Sequence, residues 1–334
     1  MNDIIVTVVC LAYNHGKYIR RALDGFVNQK TDFNYQVIVH DDASPDNTAE
    51  IIAEYVEKYP DIIKPIYQTE NQYSKKEGII NSFILPMIQG RYVALCEGDD
   101  YWTDKKKLQK QVDALEANSD CYFCVHKVSE VYENENNTGY FYPSLDIETG
   151  LIQPNDFLNY CKVYPFHTSC YFFRVQEYLE YHRNSPEFVK LCPVGDEAYL
   201  LYFGQLGNVY YINEEMSCYR RGAESSWSKN HHYNITSENS IRHQEKMYHT
   251  IVAFDKYTNY VFHAICLERE SKYFARAMIL SCQAKDYFKP EYKELFRKLS
   301  IKRKLFVFIA ALFPMRAKRM YVKRTSIIKH KHGI

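Results

Sequence analysis

The sequence predicts an α/β protein with a mostly parallel central sheet, helices on both sheet faces, and an α-helical appendage toward the C-terminus. Three observations predict it. Apolar, β-branched runs alternate with helix-like stretches through the first half; polar and acidic clusters follow those runs at equivalent points; and the last third turns helical and loses the runs. At 334 residues and 46% hydrophobic content, the chain can bury one large core or two modest ones.

The apolar runs are IIVTVVCLAY, YQVIVHD, IIKPIYQ and RYVALCE, and the stretches between them are KYIRRALDGFVNQ, NTAEIIAEYVEKY and KEGIINSFILPMIQ. Strand–helix repetition of this kind builds a parallel sheet covered on both sides. Ligands of such sheets collect beyond the carboxyl ends of the strands. The first run ends in Ala12, Tyr13, Asn14 and His15, the second in His40, Asp41, Asp42, Ala43 and Ser44, and the fourth in Glu97, Gly98, Asp99 and Asp100. Carboxylates packed so closely repel unless water or a cation neutralises them. Gly-Asp-Asp alone is ordinary turn chemistry, and Ser44 or Asp46 in DDASPDNT has the chemistry of a helix cap. Neither explanation covers three such ends on successive strand–helix units.

The ten cysteines are scattered and lie mostly within apolar runs, the usage of reduced, buried thiols. Cys121 and Cys124, with His126 nearby, have metal-ligand spacing, but a strand directs residues three apart to opposite faces and no second pair follows. The N-terminal run lacks the basic flank and small-residue cleavage site of a leader, so it reads as a first core strand.

The stretches VTVVCLAYNHGKYIRRALDGFVNQ, YQVIVHDDASPDNT, ENQ and GRYVALCEGDDYWTDKKKLQKQVDALE resemble the nucleotide-sugar half of family 2 glycosyltransferases, inverting enzymes of the GT-A fold. The resemblance runs through roughly the first 120 residues. It implies that Ala12, Tyr13 and Asn14 lie at the nucleotide, with Tyr13 stacked near the base, and that Asp42 bonds the base or ribose. It implies that Asp99 and Asp100, with Glu97 on the same DxD-type element, hold the donor diphosphate and a divalent Mn²⁺ or Mg²⁺. Departures stand at Glu97, where the family often has Asp, at Leu11 and Ala12, where many relatives have Pro, Thr or Ser, and at Lys75 or Lys76, the residues available for the family's cation after the third strand.

Farther along, PFHTSCYFFRV resembles the acceptor-side strand, with His167 and Ser169 facing the cleft. In CPVGDEAYLLYFGQLG, Asp196 matches the family's catalytic base; an acid favoured by the helix dipole is the plainer account, with Glu197 equally placed. EEMSCYRRGAESSW resembles the last strand and the loop over the donor, making Arg220 or Arg221 and Trp227 candidates for donor contact and His231 for an extra metal ligand. The expected division is a GT-A domain over 1–230 (nucleotide-sugar half 1–120, acceptor half 121–230), a helical appendage over 231–297 and a basic tail over 298–334.

That tail holds eleven of the 42 basic residues and none of the 41 acids, leaving the rest net acidic. Its apolar run Leu305–Phe313 would extend about 14 Å as a helix, too short to cross a bilayer core of about 30 Å, so it reads as an interfacial anchor on an anionic membrane. Nucleic acid is the rival partner for such charge, but the acidic body lacks the footprint. The expected protein moves a sugar from a nucleoside-diphosphate donor, UDP foremost, to a glycan or lipid-linked glycan acceptor in surface-polysaccharide assembly, peripherally at the cytoplasmic membrane face. A sugar-phosphate nucleotidyltransferase and a catalytically silent nucleotide-sugar-binding protein are the alternatives. The first would bring a Gly- and Arg-rich phosphate loop, and the second would have lost a metal acid or Asp196.

Overall fold

A computed structural model describes residues 3–75, 78–162, 165–223 and 238–331, with side chains through Lys323. Trp227, His231 and Lys76 lie outside the described residues. The chain divides into two compact units, one of Met1–Ser185 with Tyr199–Ser226, the other of Pro186–Ala198 with Trp227–Ile334.

The first unit is built on a mixed sheet of ten strands among the described residues: β1 Ile4–Ala12, β2 Asn34–Asp41, β3 Ile63–Tyr67, β4 Tyr92–Leu95, β5 Tyr101–Trp102, β6 Cys121–Val131, β7 Asn137–Tyr142, β8 Gly150–Ile152, β9 Phe172–Arg174 and β10 Asn208–Arg220. Their order is β3-β2-β1-β4-β9-β6-β10-β5, with β7 on β6 and β8 on β10. Strands β1 to β4 pair in parallel, as their alternation with helices requires, and β6 with β10 is parallel too. The short β9 enters antiparallel between β4 and β6 and joins the two parallel sets.

β1 and β2 are buried almost end to end, which is why they read as continuous apolar runs rather than alternating ones. Helices Ile19–Val27, Thr48–Lys58 and Lys107–Ala117 contribute Leu23, Phe26, Ile52, Leu108 and Leu115 to the same core. The expected helix in KEGIINSFILPMIQ is instead a π-turn at Ile80–Ile84 followed by a 3₁₀ turn at Leu85–Met87. Pro86 supplies the reason, since it has no amide hydrogen to continue an α-helical ladder.

Cys121 and Cys124 lie on β6, buried as free thiols, and among the described residues the cluster fit to hold a metal is acidic. No helix among them is long and apolar enough to cross a membrane.

The second unit is helical: Glu238–Tyr257, His263–Leu280, Lys293–Lys298, Ile301–Leu312 and Pro314–Lys331, with the short Glu187–Leu191. Its division differs from the expected boundaries in two places. Residues 186–198, including Asp196, belong with the helical unit, and the basic segment after 298 is no separate tail. Val307, Ala310, Ala311 and Ala317 are buried in one apolar cluster with Leu267, Phe274, Tyr287, Leu295 and Leu299. The small alanines let the last helices approach closely enough to complete that core.

Removing residues from Ile301 onward is therefore expected to unfold the helical unit rather than trim a free end. Val307→Asp, which buries a charge at the same place, should cost about 3 kcal/mol or more. Thermal melts followed by circular dichroism check both; a truncated protein melting like the full chain would contradict this packing.

Candidate functional site

The carboxyl ends of β1, β2 and β4 carry the polar clusters, and short side chains fasten the end of β1 to the loop after β2. At the end of β1, Asn14 adopts φ 58°, and just past β2 Ala43 adopts φ 60°, both in the left-handed region that costs non-glycine residues about 1 kcal/mol or more. The compensating bonds are local. The Ser44 hydroxyl accepts the Asn14 N–H (2.9 Å) and donates to Asp41 Oδ1 (2.5 Å). Thr48 Oγ1 accepts the His15 N–H (2.9 Å), and Asp46 Oδ2 accepts the Gly16 N–H (2.8 Å). The DDASPDNT segment thus caps its own helix through Asp46, whose Oδ1 accepts the Thr48 N–H (3.1 Å), and also holds AYNHG in place.

Ala12 is buried, while Tyr13 is 42% exposed and free to present a ring. Asp42 is buried at the β2 end; its Oδ1 accepts the Gln72 N–H (2.8 Å) and its Oδ2 the Tyr73 N–H (3.0 Å). Each oxygen keeps a second lone pair.

Glu97, Asp99 and Asp100 follow β4, each offering a carboxylate oxygen within 4.8 Å of the others. Asp99 and Asp100 are buried, and Asp99 Oδ1 has no hydrogen-bond partner. Burial first, then the charges of Asp99 and Glu97, push the Asp100 carboxyl well above its ordinary range. Hard carboxylate oxygens, one of them buried and unpartnered, fit a Mg²⁺ or Mn²⁺ ion. Gly98 leaves room between them: a Cβ there would meet Ile19 Cδ1 at 2.6 Å and His15 Nδ1 at 2.8 Å, so both side chains would have to shift.

Arg220, at the end of β10, is 2% exposed and braces this cluster from inside. Its N–H donates to Asp100 Oδ1 (2.8 Å), its Nε to the Asp99 carbonyl (3.0 Å), its Nη1 to the Glu133 carbonyl (2.9 Å) and its Nη2 to Glu135 Oε1 (3.1 Å). Its guanidinium lies between the rings of Tyr18 and Tyr101, 5.0 and 5.3 Å from their centroids. Expected as a donor contact, Arg220 instead spends its side-chain fork on the protein. Arg221 pairs with Glu130 at 3.1 Å.

His167 Nδ1 lies 3.7 Å from Asp100 Oδ2 and accepts the Ser169 N–H (3.3 Å), so the neutral ring carries its proton on Nε2. Burial lowers its pKa to about 3. Ser169, expected to face the cleft, is fully buried, with its hydroxyl bonded to Ser217 Oγ (2.8 Å) and His167 Nδ1 (3.0 Å). It orients His167 rather than meeting a ligand.

Asp196 begins helix Gly195–Leu206 and is exposed. Although the residue reaches the surface, the surrounding protein desolvates its carboxyl and raises it to about 6, against the lowering effect of a bond from its own backbone N–H. Its neighbour Glu197 is not equivalent: it is ion-paired with Arg269, a nearly buried side chain. Lys75, exposed, pairs with Glu70.

His15, placed by the sequence at the end of the first strand without a role, has its Nε2 3.9 Å from Asp99 Oδ2, and sequence reasoning missed the hairpin residues Glu133 and Glu135. It also missed Lys107, fully buried 4.0 Å from the Trp102 ring centroid, bonded to Gln111 Oε1 (2.7 Å) and lowered by burial to about 8. Lys107 and Gln111 lie i,i+4 on the helix after EGDDYW, a pairing visible in the sequence.

A sheet covered by helices, with carboxylates gathered beyond the ends of its parallel strands, defines a protein of the GT-A class. The chain belongs to glycosyl transferase family 2, whose model matches residues 7–182. The uncharacterized protein Rv1520 of Mycobacterium tuberculosis is 44% identical over 131 residues, 39% of this chain and 36% of that one. The putative teichuronic acid biosynthesis glycosyltransferase TuaG of Bacillus subtilis is 33% identical over 111 residues, 33% of this chain and 42% of TuaG. The matched stretch thus spans little more than a third of these relatives' length. S. aureus TarS 1–349, solved in complex with UDP-GlcNAc, superposes with a TM-score of 0.64 at 17% identity, covering 99% of this chain and 92% of that one. At that identity the likeness is one of fold.

Arg220→Met should weaken Mn²⁺ binding about 10- to 100-fold, the scale for groups that orient metal ligands, with Arg220→Lys intermediate. Titration followed by Mn²⁺ paramagnetic resonance checks it. Unchanged metal affinity alongside lost UDP affinity would return Arg220 to direct donor contact.

Proposed function

We propose that the protein is a metal-dependent inverting glycosyltransferase that moves a sugar from a UDP-sugar to a lipid-linked glycan during surface-polysaccharide synthesis, peripherally at the cytoplasmic membrane face. The observation that carries this reading is the Glu97–Asp99–Asp100 cluster beyond the parallel strands, with its buried unpartnered oxygen. The donor assignment draws on the UDP-GlcNAc complex of TarS, and the pathway on the name of TuaG. The membrane setting draws on the acid-free basic segment after residue 297.

In this reading Tyr13 stacks on the base, and Asp42 accepts a hydrogen bond from the base or ribose on an oxygen that already accepts a backbone N–H. Asp99 and Asp100, with Glu97, hold the divalent ion, which when bound neutralises charge on the departing diphosphate. His167, neutral and bearing its proton on Nε2, offers a donor on the acceptor side. Asp196 takes the proton of the attacking hydroxyl, which approaches the anomeric carbon opposite the leaving group. A pKa raised toward 6 suits a base that must be ionised near neutral pH and still bind a proton. Trp227 is kept as a donor contact from the resemblance alone.

Calorimetry with UDP tests the carrier observation. Binding should require Mn²⁺ or Mg²⁺, and Asp100→Ala should remove both the metal dependence and most of the affinity. Equal UDP affinity in EDTA and in Mn²⁺ would refute the metal assignment.

Asp196→Asn should keep UDP and metal binding while turnover falls about 10²- to 10⁴-fold. In the wild type, kcat/KM should drop as pH falls through about 6, because protonation removes the base, and the variant should lose that limb. Glu197→Gln should act differently: it strips the ionic partner from Arg269, costing about 1–3 kcal/mol in a thermal melt with turnover largely kept below the melting range. A turnover loss at Glu197 exceeding that at Asp196 would overturn the assignment of Asp196 as the base.

A further inference from the structure

Helix Ile301–Leu312 has two apolar faces, and only one of them is used by the fold. Val307, Ala310 and Ala311 are buried in the core of the helical unit. Ile301, Leu305, Phe308 and Leu312 recur at i, i+4, i+7 and i+11, one continuous stripe on the other side of the helix, and they are 84%, 62%, 52% and 70% exposed. Phe313 (56%) and Met315 (62%) continue the stripe past the helix end, and Phe288 (43%) packs beside Phe308 with ring centroids 4.8 Å apart. A lone exposed leucine needs no explanation; an ordered ridge of large apolar side chains on one surface does.

Charge identifies the occupant. Lys302, Arg303, Arg316, Arg319 and Lys323 are exposed along the same two helices, and no acid follows residue 297. We propose that this ridge is a docking surface for an anionic lipid bilayer, with helix Ile301–Leu312 lying in the headgroup plane, its apolar stripe among the acyl chains and its basic side chains at the phosphates. The inference adds a surface to the membrane setting proposed above and rests on no part of the sugar-transfer chemistry.

Other occupants match fewer features. Nucleic acid would use the basic side chains and leave the apolar stripe in water. A membrane-crossing helix would need about 20 apolar residues, whereas the run here is half that and its opposite face is committed to the protein core. An interfacial helix requires an apolar face toward the acyl chains and cations at its flanks; both occur here, while the remaining face is held by the protein core. The anchor is thus a folded part of the helical unit, and its affinity depends on that unit being intact.

The test uses the full-length protein and co-sedimentation with vesicles of phosphatidylcholine, with and without phosphatidylglycerol. Deleting the segment would confound docking with unfolding, so the variants change exposed side chains: Leu305→Glu with Phe308→Glu for the stripe, and Lys302→Glu with Arg316→Glu and Arg319→Glu for the charge. Each should melt within a few degrees of the wild type and bind UDP with unchanged affinity, which separates failure here from failure of the donor-site reading. The wild type should bind phosphatidylglycerol vesicles and lose part of that binding at high salt. The stripe variant should bind about tenfold or more weakly, and the charge variant should no longer distinguish the two vesicle types. Three outcomes overturn the inference: a wild type that does not sediment with phosphatidylglycerol vesicles; a stripe variant that sediments like the wild type, which would leave adsorption by charge alone; and a wild-type dimer in light scattering that the stripe variant converts to monomer, which would make the ridge a contact between copies.

Discussion

Everything at the sheet edge depends on keeping three carboxylates together that would rather separate. Unit charges about 5 Å apart at an effective dielectric of about 20 repel by about 3 kcal/mol per pair, so Glu97, Asp99 and Asp100 cannot all ionise there without compensation. Among the described residues, much of the compensation on the protein side comes through Arg220. Arg220 places its backbone N–H on Asp100, its Nε on the Asp99 carbonyl and its charge between two tyrosine rings. It therefore fixes the backbone carrying the acids without occupying the outer lone pairs, and Asp99 Oδ1 is left buried and open. A fold that only needed to satisfy its own polar groups would have paired that oxygen.

The same economy of donors shapes the neighbouring strand ends. Asn14 and Ala43 are held in left-handed backbone conformations by Ser44, Thr48 and Asp46, which tie the end of β1 to the loop after β2. The strain and the bonds that offset it sit where the nucleotide of a GT-A protein is expected, so the loop backbone is set before any ligand arrives. Tyr13 stays half in water as a consequence: the residues around it are committed and its ring is not.

The sequence made the parallel half of the fold legible because period and burial agree there. Runs such as YQVIVHD are buried on both faces, and the helices between them alternate regularly. It was less informative where short elements depend on distant partners. PFHTSCYFFRV was readable as a strand, but not that only its end, FFR, forms β9 or that it enters antiparallel between β4 and β6, and Pro86 turned an apparently helical pattern into a π-turn and a 3₁₀ turn. In the site, acids at strand ends were readable from type and position. The roles of Arg220, Ser169 and Glu197 were not, because each depends on a partner far away in sequence: Asp99 and Asp100, Ser217, and Arg269.

The C-terminal segment makes the same point about faces. Lys298 onward was readable as basic and amphipathic, and both properties are real, but a hydrophobic run in sequence does not say which of its sides is already occupied. The alanines do. Ala310, Ala311 and Ala317 are small because the core of the helical unit approaches them closely, whereas Ile301, Leu305, Phe308 and Leu312 are large and meet water. If the segment served only as packing, selection against exposed apolar surface would leave polar residues on its outer side, as it does on most surface helices. If it served only as an anchor, the alanines would have no reason to be buried. Both faces are apolar, one with small side chains packed in the core and one with large side chains in water, the arrangement that the proposed docking of this helix on a bilayer calls for.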